Sequence, residues 1–318
     1  RKAASCDSST RGVYAGGITP TLQAGIEYII IASQGNAIDY GDLAAANGDA
    51  DGLSNSVRGI VAGGEEPSKV DRIQYFNIST GGNTSDFGNL VAATNSVAAT
   101  SQAHGGLNDG YQGTRIHPIP TGLGTGQRAL AAGGMSGGQI TIEEFNMTTT
   151  SNASQFGNLA VGTYEISAMA NTTRCLFAGG ENPDGDTDRI EYVEFASKGN
   201  GADFGNLAEA KDGMNGGSNQ TRGLSAGGTN PGALDVVEYV TLATFGNASD
   251  FGDLSAGRRH AAAVAGQTRF IVAGGDSVPS KVNIIEYFTI GSTGNATDFG
   301  DLTSARNTGD GLNSTTRG

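Results

Sequence analysis

Short runs rich in Ile, Val, Tyr and Phe, four to seven residues long, alternate along this chain with clusters of Gly, Asn, Ser and Thr. Runs of that length bounded by turn formers predict strands. No window of helical length carries a sustained i, i+3, i+4, i+7 apolar stripe, so no helix is predicted. The runs also recur. RGVYAGG at 11–17 returns as RGIVAGG (58–64), RALAAGG (128–134), RCLFAGG (174–180), RGLSAGG (222–228) and RFIVAGG (269–275), and Arg317-Gly318 matches the start of another copy. From Arg11 through Arg58, Arg128, Arg174, Arg222, Arg269 and Arg317 the spacings are 47, 70, 46, 48, 47 and 48.

Two further markers sit inside each unit. IEYI (26–29) is echoed by IQYF, IEEF, IEYV, VEYV and IEYF, and DYGDL (39–43) by DFGNL, QFGNL, DFGNL, DFGDL and DFGDL. A stretch of small residues, such as Ala261-Ala262-Ala263-Val264-Ala265, leads to the next Arg. Each unit therefore reads as four strands: a small-residue strand a, b from Arg to Ala-Gly-Gly, c with Ile-Glu-Tyr, and d with Asp-Phe-Gly. Four short strands cannot bury both faces of their own sheet. Radial packing of copies buries them and protects the edges, and about 47 residues is a blade length. The bulk-free strand a suits the innermost position, where blades converge. The expected fold is an all-β propeller in one domain, with a solenoid as the alternative. Blades fall at about 1–43, 44–90, 91–159, 160–207, 208–254 and 255–302, and 303–318 is an orphan inner strand. Residues 1–11 and 306–317 match the same part of the unit, so a ring of seven blades is favoured over six.

Composition narrows the function classes. Gly supplies 52 of 318 residues, and the net charge of −13 excludes a general nucleic-acid binder and disfavours anionic lipid. The longest apolar runs, such as 29–31 and 270–273, are too short for membrane insertion. Cys6 and Cys175 occupy different points of different repeats, which argues against a disulfide or a CxxC zinc site. The chain begins with Arg1, without a visible signal peptide, which suggests a fragment or processed product.

These motifs resemble the kelch family, whose blade has an Arg opening the inner strand, a hydrophobic strand ending in Gly-Gly, then a Tyr, then a Trp before a Leu. Arg306 stands at the opening position, and Tyr28, Tyr75, Tyr192, Tyr239 and Tyr287 match the Tyr, with Glu144 the exception. Tyr40, Phe87, Phe156, Phe204, Phe251 and Phe299 stand where Trp is usual, which marks a divergent branch. More narrowly, STTRG…AGG…IEY…GNATDFGDL resembles repeat arrays in virion structural and tail-fibre proteins of tailed phages, cyanophages especially. That resemblance implies a virion-surface or extracellular location. It implies assembly with other virion proteins, self-association, or receptor binding to a host cell-surface glycan. An extracellular adhesin or filament subunit with the same fold is the alternative.

The six or seven recurring arginines (Arg11, Arg58, Arg128, Arg174, Arg222, Arg269) point to a structural need of every blade. They are expected to pair with Asp39, Asp86, Asp203, Asp250 and Asp298, which open strand d, or to cap strand-turn carbonyls. The Glu of Ile-Glu-Tyr is read the same way. The Asn-X-Ser/Thr triplets at Asn247 and Asn295 are read as turn chemistry rather than glycosylation acceptors.

Variation concentrates elsewhere, and variable loops carry function in repeat proteins. The b–c loops differ and should share one face, with Glu65, Glu66, Asp71, Glu181, Asp184, Asp186 and Asp188. NPDGDTD (182–188) resembles an Asp-rich calcium loop but lacks the closing bidentate Glu, so a solvated acidic turn is expected, calcium being the alternative. An insertion near 103–127 between strands a and b carries His104, Tyr111, Arg115 and His117, suited to sugar or partner contact, or to packing on a neighbour. Some kelch-like propellers are enzymes, including copper radical oxidases, which need Tyr, Cys and two His at one metal. His104, His117 and His260 are the only histidines and no Cys lies near a suitable cluster. No GxSxG, nucleophile pair or phosphate-cradling loop occurs. The expectation is a protein without catalytic activity, cofactor or metal, a carbohydrate-active enzyme being the remaining catalytic alternative.

Overall fold

The computed structural model describes residues 3–307, apart from 9, 19–20, 31–35, 56, 102–127 and 136–138. The described residues form no helix, and six four-stranded antiparallel sheets make the blades of a β-propeller ring. Blade 1 comprises Ala4–Asp7, Arg11–Ala15, Gly25–Ile30 and Ile38–Asp42, and strand order within each blade is sequential. Blade 2 comprises Asp51–Ser54, Arg58–Ala62, Val70–Asn77 and Ser85–Thr94, and blade 3 Ala98–Ser101, Arg128–Ala132, Thr141–Asn146 and Ser154–Asn158. Blade 4 comprises Ser167–Ala170, Arg174–Ala178, Arg189–Glu194 and Ala202–Asn206. Blade 5 has Asn215–Ser218, Arg222–Ala226, Val236–Thr241 and Ser249–Asp253, and blade 6 Ala262–Ala265, Arg269–Ala273, Ile284–Thr289 and Thr297–Asp301. Two of the b–c loops form small hairpins of their own, Glu181–Asn182 with Gly185–Asp186 and Asp276–Ser277 with Ser280–Lys281.

The inner strands are small because their backbones meet. A Cβ on Gly52 would lie 2.1 Å from the Ser5 carbonyl oxygen of the neighbouring blade. The core lies between blades rather than within them. Cys6, Val13, Ile26 and Tyr40 of blade 1 pack on Val61, Phe76 and Ile78 of blade 2. The same arrangement recurs at the next four junctions. Each fully buried Phe or Ile stabilises its junction by roughly 1.5–3 kcal/mol, so docking of blades, not the isolated sheet, holds the fold.

Two glycine positions explain markers read from the sequence. The second Gly of each Ala-Gly-Gly adopts a left-handed φ, +103° at Gly17, and its N–H donates to a carbonyl leading into the next blade, Asn47 at 2.7 Å. The Gly of Asp-Phe-Gly follows a bulge between strands c and d, and a Cβ on Gly41 would lie 2.5 Å from the Gly82 carbonyl carbon of the next blade. The first is a backbone angle that a side chain disfavours, and the second is a close backbone approach that a side chain would block.

Candidate functional site

The recurring polar residues are spent on the junctions. Arg11 donates to the Ile78 carbonyl at 2.9 Å, Arg58 to Met147 at 3.1 Å, Arg174 to Leu242 at 2.6 Å and Arg222 to Ile290 at 2.6 Å. Arg128 reaches the Phe195 carbonyl in the same way. Each acceptor lies just after strand c of the following blade. The guanidinium also stacks on its own blade's Tyr, 4.6 Å from the Tyr28 centroid for Arg11 and 4.7 Å from Tyr239 for Arg222. Blade 3 has Glu144 in place of that Tyr, and there Arg128 makes an ion pair at 3.2 Å.

Of the two partners expected for these arginines, the strand-turn carbonyls are found and the strand-d aspartates are not, among the described residues. Asp39, Asp86, Asp203, Asp250 and Asp298 are all exposed. The reason is geometric: the arginine leaves the start of strand b toward the next blade, where carbonyls turn from c to d. The strand-c acid also faces a neighbour. Glu143, Glu191, Glu238 and Glu286 accept from the backbone N–H of Val91, Ala160, Ala208 and Ser255 in the preceding blade, at 2.7 to 3.2 Å. Burial pushes the Glu143 and Glu191 carboxyls up. Asn247 and Asn295 accept from Asn206 and Asp253 N–H across their junctions, at 3.1 and 3.2 Å. That bond is more than turn chemistry, and the recurrence of Asn before every strand d was its signal.

The other candidate residues within the described chain lie in the b–c loops. Glu66 is held by Arg72 at 2.9 Å, Asp188 accepts from Asn206 at 3.0 Å, and Asp184 is exposed. Glu65 accepts from Asn95 at 3.4 Å, and Asp71 is half-buried. Tyr111, Arg115, His104 and His117 lie outside the described residues.

A cluster of which the sequence reading singled out only Glu181 and Asp186 occupies the same face. The residue just before strand a takes a left-handed φ in blades 2 to 6, at Asp49, Ser96, Glu165, Gly213 and His260. These turns stand side by side where the inner strands begin. His260 Nε2 reaches over Gly213 to Glu165 Oε2 at 3.1 Å, linking blade 6 to blade 4, and its Nδ1 lies 4.0 Å from Asp276. Beside this pair, Glu181, Asp186 and Asp212 bring carboxylate oxygens within 4.8 Å of one another.

At the equivalent position blades 2 and 6 set an acid against an amide, Glu65 with Asn95 at 3.4 Å and Asp276 with Asn307 at 2.6 Å. Blade 4 sets Glu181 against the acid Asp212 instead. Burial first, then the charges of Glu165, Asp186 and Glu181, push the Asp212 carboxyl up to about 6. The His260 hydrogen bond lowers Glu165, and the hydrogen bond to Glu181 raises the Tyr164 phenol to about 12. The cluster can store a proton near neutrality and offers carboxylates to hydroxyls or cationic groups. Both cysteines are buried thiols, and burial pushes Cys175 up, away from the reactive thiolate.

No protein-family model matches this sequence, and no curated protein matches it either.

Proposed function

We propose that this protein is a non-catalytic kelch-type propeller of the virion or tail-fibre kind, with residues 303–318 contributing the inner strand of a seventh blade. It presents its variable loops to other particle proteins or to a host-surface glycan. One observation supports this reading above the others: the recurrent Arg, Glu and Asn side chains are consumed by contacts between blades. The repeat is thereby a rigid frame, and chemistry that differs from blade to blade is left to the loops and the Glu165–His260 face. The wording of the repeats, close to that of phage virion arrays, supplies the particle context.

The test is an array of host-surface glycans probed with the full chain and with a chain lacking residues 103–127. Binding that is lost on deletion makes the insertion the contact. Binding that is unchanged moves the contact to the b–c face. Retention of no glycan, together with no association with tail or capsid proteins, overturns the display role.

A further inference from the structure

Five junctions between consecutive blades are packed, and their counterparts at the two ends are bare. Phe251 of blade 5 is 1% exposed against blade 6, whereas Phe299, the same position in blade 6, is 53% exposed. Leu302, Ile271 and Ile285 are half-buried, where Leu254, Leu224 and Val237 of blade 5 are buried. Blade 1 shows the complementary face. Glu27 is exposed and Ile29 half-buried, while Glu238 and Val240 of blade 5 are buried.

The polar chemistry of the bare faces is equally specific. Four residues after the strand-d Leu, blades 4 and 5 carry Lys211 and Arg258, each buried against the strand-c acid of the next blade, Glu238 and Glu286. Arg306 holds this position in blade 6. Its backbone makes the same hydrogen bonds as Arg258, with the Gly275 N–H at 2.8 Å and the Val282 carbonyl at 3.2 Å. Its side chain is exposed and touches only Ser304 among the described residues. The Glu27 carboxylate has no hydrogen bond or ion pair among them.

Six equal junctions close a ring at about 60° each, and seven at about 51°. Five junctions are packed, and a sixth equal junction would bury the facing sides of blades 6 and 1, which are instead exposed. We propose that the sector between blades 6 and 1 is a docking site for one more four-stranded sheet of this same repeat. It carries a strand-c carboxylate that takes Arg306, covers Phe299, and places a cationic or amide residue on Glu27. This deepens the seventh-blade part of the functional reading and is independent of what the loops bind.

The chain contains no Trp, so Phe299→Trp makes a single reporter of this face. Arg317-Gly318 corresponds to Arg222-Gly223, so a copy of residues 224–254 appended after Gly318 completes one repeat in register. In the unextended full chain the tryptophan should be open to iodide quenching. In the extended chain its emission should shift to the blue and its quenching constant fall about threefold or more as water is excluded. Arg306→Glu should abolish that change, and Lys in place of the appended strand-c Glu should restore it. Should the extended chain not fold, the appended segment is titrated as a separate polypeptide onto the full-length Phe299→Trp protein, with the same readout. A tryptophan equally quenchable with and without the added sheet overturns the proposal. So does protection in the dilute unextended chain, which would mean blade 6 closes on blade 1, or protection that appears only with protein concentration, which would mean a second copy. Glycan binding is measured separately, so loss of the display role leaves this result standing.

Discussion

The junction between blades 1 and 2 and the junction between blades 5 and 6 fill one backbone slot in opposite ways. In the first, Gln74 accepts from the Ala44 N–H at 2.8 Å and from Thr84 Oγ1 at 2.7 Å, while Asn47 donates to the Gly63 carbonyl at 2.9 Å. No ion pair occupies this slot among the described residues. In the second, Glu286 accepts from the Ser255 N–H at 3.0 Å and lies against Arg258, with side chains 3% and 1% exposed. Burial lowers the Arg258 guanidinium to about 10, which still leaves it charged at neutral pH. The geometry is shared, so the difference isolates what a buried ion pair adds to a blade junction. Two charges lose their water, and each then depends on the other.

The largest effect should come from separating that pair. Glu286→Ala strands Arg258 in the core and should cost about 3–5 kcal/mol. Gln74→Ala leaves only neutral donors unpaired and should cost about 1–3 kcal/mol. Urea unfolding of the two variants compares them directly, and equal losses would break the distinction. Replacing both members, Arg258→Asn with Glu286→Gln, copies the neutral junction and should return to within about 1 kcal/mol of the native protein or exceed it.

The strand pattern, blade length and small inner strands were legible because each is a local consequence of side-chain size and period. The structural role of the arginines was legible from their recurrence alone. The kind of partner, a strand-turn carbonyl, was among those expected, but not the blade that supplies it. Arg222 and the Ile290 carbonyl are 68 residues apart, and only the docking of one blade on the next brings them together. The strand-d aspartates are the nearer partners only within a single repeat. Glu165 and His260 escaped for another reason: they are 95 residues apart and occupy a position where each blade has a different residue. Their shared signal is a left-handed turn before strand a, a backbone property that Asp49, Ser96 and Gly213 carry with unrelated side chains.

The arginine finding gives the next prediction, common to neutral and charged junctions alike. Arg222→Ala removes a charge-assisted bond to the Ile290 carbonyl and the stack on Tyr239. It should cost about 1.5–3 kcal/mol. Asp250→Ala, at an exposed position with no arginine partner, should cost about 0.5 kcal/mol or less. A loss at Asp250 matching that at Arg222 would restore the intra-blade pairing read from the sequence.

The smallest effect tests the charged side of the comparison at the loop face, next to buried Lys211. Asp212 has a folded pKa of about 6 against an ordinary value of 3.8, so between those values the native state holds more of its proton than the unfolded chain does. Its contribution is therefore greatest at low pH and is lost as pH rises through 6. Glu165, lowered by His260, works in the opposite sense, its stabilisation present above its unfolded value and lost as pH falls. Asp212→Asn removes the first dependence and recreates the acid–amide contact of Glu65–Asn95 and Asp276–Asn307. At pH 7.5 the variant should be more stable by about 1 kcal/mol, the full shift being discounted for a half-buried group. Below pH 4 the two proteins should melt together, because Asp212 is then protonated in both states. Thermal unfolding across that range reads the difference. A gap that persists at pH 3.5 would mean the substitution acts through packing and not through the crowded carboxylates of blades 4 and 5.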